Sequence, residues 1–172
     1  TRFGARPNFS IERCDLESEL DFAGLQERVS SGVCLNVLEH VADDLKALRN
    51  IWSALEPGGT ALILVPNDPR IYGTLDRVLG HHRRYCDAEL RLKLETTGFE
   101  VEKIWGFNRV TRAGWIWNGL VLRRQSFGRV QLWIFDRFVW LWRRIDRILP
   151  WGPVSLIAIA RKQPNTGARS LS

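Results

Sequence analysis

The stretch Val33-Cys-Leu-Asn-Val-Leu-Glu-His-Val-Ala-Asp-Asp44, continued by Leu55-Glu-Pro-Gly-Gly-Thr-Ala-Leu-Ile-Leu-Val-Pro66, decides the fold class. Residues 33–37 are a short apolar run after Ser30-Ser-Gly and read as a buried strand. Asp43-Asp44 offers a helix start, and Leu45, Leu48, Ile51, Trp52 and Leu55 follow at helical spacing. Pro57-Gly58-Gly59 stops that helix. Residues 60–65 are almost wholly apolar and are closed by Pro66, which predicts a strand buried on both faces. Strand, helix and strand in this order indicate a parallel crossover unit of an α/β protein.

Reading outward, Phe9-Ser-Ile-Glu-Arg-Cys alternates and predicts a strand over 9–14 that ends near Asp15. Downstream, Asp87 starts a helix that turns Leu90, Leu94 and Leu92 inward and stops at Gly98. Residues 99–105 alternate as a strand, and 154–160 form a last apolar strand before a polar tail, for which disorder is expected over 164–172. The whole reads as one α/β domain over 1–163 with a largely parallel sheet. Ligands of such sheets sit beyond the carboxyl ends of the strands, where Asp15, Asn36 and Asn67-Asp68 fall.

The 172 residues carry a net charge of +6, unevenly spread. Residues 1–69 hold six basic and eleven acidic side chains, whereas 70–148 hold sixteen and eight. Seven of the eight tryptophans lie in 105–151. Cys14, Cys34 and Cys86 are far apart and odd in number, so they make no disulfide framework and suit a reducing, cytoplasmic compartment. No apolar run is long enough for a membrane-spanning helix. No set of residues has metal-ligand spacing.

Segment 106–152 breaks the alternation and reads as a helical insertion. On one helix over 129–149, Val130, Ile134, Phe135, Phe138, Leu141, Trp142, Ile145, Ile148 and Leu149 share an arc. The arginines occupy the rest, with Trp133 and Trp140 among them. Such a helix either covers the sheet or lies in a membrane interface beside a lipid-like substrate site. The first reading turns the apolar arc inward.

Cys34-Leu-Asn-Val-Leu-Glu-His-Val-Ala-Asp-Asp44 and Leu55-Glu-Pro-Gly-Gly, continued by Gly80-His-His-Arg-Arg-Tyr85, Glu89-Leu90 and Thr97-Gly98-Phe99, resemble class I S-adenosylmethionine-dependent methyltransferases. The small-molecule branch, like the ubiquinone-pathway methyltransferases, is most similar. The resemblance covers roughly 9–105 and 154–161. It implies a Rossmann-like sheet ordered 3-2-1-4-5-7-6 with an antiparallel last strand. Segments 9–14, 33–37, 60–65, 99–105 and 154–160 then correspond to strands three to seven. Strands one and two and the glycine-rich loop have no counterpart, so the resemblance implies an amino-terminally truncated chain that binds S-adenosylmethionine poorly by itself.

The resemblance also implies site residues. Asp15 and Leu16 correspond to the adenine side of the S-adenosylmethionine site, and Leu35 and Asn36 to its methionine side. A turn cap is the alternative for Asp15, and a loop amide bonding the backbone is the alternative for Asn36. His81, His82, Arg83, Arg84 and Tyr85 correspond to the acceptor loop; anchoring by Arg and Tyr is the alternative there. His40 and His81 are the candidate bases, with a satisfied structural role the alternative for His40. The implied reaction is direct methyl displacement that mainly requires alignment of donor and acceptor. The expected acceptor is a small molecule or a lipid- or glycan-related one, with peripheral contact to the inner membrane face through 129–149. The rival reading is a non-catalytic membrane- or partner-binding module on the same scaffold. No nucleic-acid motif is present.

Overall fold

The computed structural model describes residues 8, 11–126 and 128–164. Four strands form one sheet: β1 (Val29–Leu35), β2 (Leu55–Pro66), β3 (Phe99–Phe107) and β4 (Ser155–Lys162). Their spatial order is β1-β2-β4-β3. β1 pairs parallel to β2, with Cys34 opposite Ile63, and β4 runs antiparallel to both β2 and β3. This is the order expected for strands four, five, seven and six.

Seven helices accompany the sheet among the described residues: α1 (Glu19–Phe22), α2 (Asp44–Ala54), α3 (Thr74–Leu79), α4 (Asp87–Thr96), α5 (Thr111–Ile116), α6 (Arg129–Arg137) and α7 (Val139–Ile145). Asp43 caps α2, its Oδ1 accepting the Lys46 N–H at 2.9 Å. Gly98, at φ +95°, takes the left-handed conformation that turns the chain from α4 into β3.

The core lies on one sheet face. Ala61, Ile63 and Val65 of β2 and Leu156, Ala158 and Ala160 of β4 meet Ala47 and Leu48 of α2 and Leu90 and Leu94 of α4. Thr60, Leu62 and Leu64 on the other face are only half-buried, so β2 alternates and is not buried on both faces as expected.

Three further expectations are corrected. Ile11 to Cys14 form no strand, and Phe9 and Ser10 lie outside the described residues; in the expected order this segment pairs with a strand that has no counterpart here. β1 begins at Val29 and ends at Leu35, earlier at both ends than 33–37, because its first residues reach across to Leu55 while residues 56–59 loop out of the ladder. The helix expected over 129–149 is broken at Phe138, which leaves helical backbone at φ −111°, ψ 20°. Trp142 folds back over the break: its indole N–H donates to the Phe135 carbonyl at 3.0 Å and its ring stacks on Phe135 at 6.2 Å. Of the tail expected to be disordered, 165–172 lie outside the described residues.

Candidate functional site

The carboxyl ends of β1, β2 and β3 point the same way, and Asn36, Pro66 and Asn108 at those ends line one cavity of about 620 Å³. Its walls are mostly apolar: Leu79, Val110, Trp115, Leu132, Phe135 and Val154. His40, His81, Arg84 and Asn118 supply polar groups. Such a cavity suits a small ligand oriented by a few placed polar atoms. The insertion builds much of its wall, through α5, the turn after it and α6.

α3 sets the histidine. Asp76, in its first turn, accepts the Gly73 N–H at 2.9 Å and so caps its own helix. Gly80, at φ +77°, closes the other end, and the His81 N–H returns to the Asp76 carbonyl at 2.9 Å. That reversal lays the His81 ring beside the Asp76 carboxylate, with Nδ1 2.9 Å from Oδ1.

Asp76 is wholly buried. Burial works against its ionisation, but the His81 bond, the Gly73 N–H and the Arg84 charge outweigh it and hold the carboxyl below its usual range. An ionised carboxylate can only accept, so His81 Nδ1 is the nitrogen that donates to Asp76.

Arg84 is buried beside them. Its Nε donates to Asp76 Oδ1 at 2.7 Å, its Nη1 donates to the Asn67 carbonyl at 2.9 Å, and its guanidinium lies 4.6 Å from the Trp115 ring centre. Glu39 is fully buried with no hydrogen bond to either carboxylate oxygen among the described residues, and its Oε1 is 3.9 Å from His81 Nε2. Burial raises its carboxyl above the ordinary range. His40 meets His81 edge-on at 4.8 Å between ring centres, and its Nδ1 lies 3.2 Å from the Gly80 carbonyl. Glu39, His40 and His81 each offer a ligand atom within 4.8 Å of the others, a set able to hold a metal ion that no sequence spacing indicated.

The loop expected at the acceptor divides. His81 and Arg84 line the cavity; His82, Arg83 and Tyr85 do not. His82 is exposed. Arg83 is turned to Asp44, at 2.9 Å, and to the Ala42 carbonyl, at 2.7 Å. Tyr85 is fully buried, donating to Asp44 Oδ2 at 2.9 Å. The structure thus assigns Arg83 and Tyr85 to anchoring.

Asp15 and Leu16, expected on the cofactor, line a second, open cavity of about 450 Å³ with Val37 and Val41. The Asp15 carboxylate accepts the Glu17 N–H at 2.9 Å, the turn-cap geometry, on an exposed residue. Asn36, at φ +52°, faces the larger cavity, its backbone N–H donating to the Leu64 carbonyl at 2.9 Å. Leu35 lies half-exposed on the open edge of β1. The loop after β1 therefore separates the two expected halves of the cofactor site.

Sequence reading missed Asp76, Trp115 and Asn118. The only available signal for Asp76 was its spacing from His81 across Gly80. Trp115 and Asn118 lie in the insertion, where no strand end marks the site.

No protein-family model matches the chain. A Mycolicibacterium smegmatis protein described as a probable S-adenosylmethionine-dependent methyltransferase is 37% identical over 76 residues, which is 43% of this chain and 30% of that relative. The matched part is thus less than a third of the curated relative's length. The structure is similar to a SAM-dependent methyltransferase from Archaeoglobus fulgidus (18% identity, 92% of this chain and 70% of that one, TM-score 0.56). It is equally similar to an S-adenosylmethionine-dependent methyltransferase from Mesorhizobium loti (18% identity, 91% and 72%, TM-score 0.56). With this strand order and these likenesses, the chain has the fold of the class I S-adenosylmethionine-dependent methyltransferases and resembles them in sequence.

Proposed function

We propose that this protein takes part in S-adenosylmethionine-dependent methyl transfer to a small-molecule or lipid- or glycan-related acceptor held in the larger cavity. The observation that carries the reading is the Asp76–His81 pair, of which His81 lines that cavity at the carboxyl ends of the strands.

The residues that would hold the cofactor lie on either side of the loop after β1. Asp15 offers a carboxylate to an exocyclic amine, and Leu16 an apolar contact beside it. Leu35 and Asn36 stand on the methionine side. When bound, S-adenosylmethionine supplies an activated methyl group on a good leaving group. The chain's own residues then mainly hold the acceptor in line. The apolar side chains of Leu79, Val110, Leu132, Phe135 and Val154 along the cavity suit an apolar body. His81 Nε2 accepts the acceptor's proton where the nucleophile must lose one, while Asp76 steadies the imidazolium that forms. Asp76 positions; His81 is the catalytic candidate.

The test is formation of S-adenosylhomocysteine, followed by mass spectrometry. S-adenosylmethionine is supplied to the protein with a panel of lipid, glycan and small-molecule acceptors, and its binding is followed by calorimetry. The protein is expected to turn over one acceptor class. If it neither binds S-adenosylmethionine nor releases S-adenosylhomocysteine, the reading is wrong.

A further inference from the structure

We propose that the outer face of α6 and α7 docks on the surface of an anionic phospholipid bilayer. Neither helix contains a buried residue. On α6, Arg129, Val130, Trp133, Ile134 and Arg137 share one side at helical spacing. Val130 is 70% exposed and Trp133 65%. The opposite side carries Gln131, Leu132 and Phe135, which line the large cavity. On α7, Leu141, Trp142 and Ile145 are half-buried, whereas Val139, Trp140, Arg143 and Arg144 are exposed. Ile148, just beyond, is 78% exposed.

A solvated face does not need this composition. Bulky apolar and indole side chains left in water cost free energy, and they alternate here with guanidinium groups. Segment 106–152 holds nine arginines against Asp136 and Asp146. Asp146 is occupied inside the protein, accepting the Val110 N–H at 2.7 Å. Of the nine, only Arg112 forms an ion pair among the described residues, with Asp68. The charge is therefore available to an anionic partner.

Tryptophan and arginine together suit the boundary between headgroups and acyl chains. The indole takes the apolar side there, and the guanidinium meets lipid phosphate. No helix among the described residues is long and apolar enough to cross a membrane, which limits these helices to lying on it. Docking in this way brings the cavity to within about one helix diameter, ~10 Å, of the bilayer, since α6 forms both surfaces.

The experiment is flotation of the full chain with vesicles of phosphatidylcholine alone and of phosphatidylcholine with phosphatidylglycerol. It needs no S-adenosylmethionine, so its outcome is separate from the methyl-transfer reading. The chain is expected to float with the anionic vesicles and to be released by salt. Arg143→Glu with Arg144→Glu should lower partitioning at least about tenfold. Trp133→Ser with Trp140→Ser, tested separately, should also lower it. All four positions are exposed, and circular dichroism checks that each variant keeps the wild-type fold. Absence from the anionic vesicle fraction would overturn the proposal. So would flotation that neither variant weakens, or self-association through this face that persists when vesicles are added.

Discussion

Replacing Asp76 with alanine tests the electrostatic account of the site most directly. The carboxylate serves three partners at once: Arg84, His81 and the Gly73 N–H. Asp76 and the Arg84 side chain are both excluded from solvent. Removing the anion strands a buried guanidinium, which costs about 3–5 kcal/mol, and losing the cap adds about 1 kcal/mol. With a urea m-value of about 2 kcal/mol/M, the unfolding midpoint should fall by roughly 2–3 M. Asp76→Asn keeps the shape and one acceptor, so it should lie between alanine and wild type. The pH dependence has a definite sign. The folded-state pKa of Asp76 is depressed, so its stabilisation is present above the unfolded value, about 3.9, and is lost as pH falls through the folded value. The gap between wild type and Asp76→Asn should therefore narrow on acidification. A midpoint shift below about 0.5 M for Asp76→Ala, or a gap that widens as pH falls, would refute the reasoning.

Other substitutions probe separate steps. His81→Asn should lower turnover about 10²- to 10⁴-fold with S-adenosylmethionine binding retained, as read by S-adenosylhomocysteine release and calorimetry; unchanged turnover would remove His81 as the base. Gly98→Ala should cost about 1–2 kcal/mol in urea unfolding, because φ is +95° and the new Cβ would sit 3.1 Å from Trp52 Nε1; a neutral result would mean the turn relaxes freely. Tyr85→Phe should cost about 1–2 kcal/mol, since the lost hydroxyl bonds both Asp44 and the Leu38 carbonyl; an unchanged midpoint would show that the Lys93 and Arg83 contacts hold Asp44 without it.

What the sequence revealed was local. An apolar run closed by Pro66 identifies the body of β2, though not its alternation, and caps and glycines identify α2 and α4 because one apolar face and a start or stop signal suffice to specify each helix. The fate of the Gly80-His-His-Arg-Arg-Tyr85 run was not legible. Five polar or aromatic residues in a row carry no periodicity, and only the reversal at Gly80 separates His81, on the cavity, from Arg83, at Asp44. The break at Phe138 was also hidden. A helical wheel presumes continuous helix, whereas Trp142 gains a hydrogen bond and a stacking partner by folding back. Val130 and Ile134, grouped with the inward arc, are consequently on the exposed side.

The insertion and the scaffold are joined close to the chemistry. Arg112 of α5 pairs with the buried Asp68, in the loop after β2, which also pairs with Arg70. Thr74, the first residue of α3, donates its hydroxyl to the carbonyls of Gly119 at 2.8 Å and Arg124 at 2.9 Å. Gly73 packs so tightly on Gly119 that an added Cβ would lie 2.9 Å from its carbonyl oxygen. The helix that presents Asp76 is thus fastened at its start to the segment that walls the cavity, and Trp115 of that segment covers Arg84. The Thr74 hydroxyl, the Trp115 ring and the Gly73–Gly119 approach together hold α3 and the loop after it against α5 and the residues that follow it, so a substitution that loosens this seam should also loosen the setting of Asp76, Arg84 and His81.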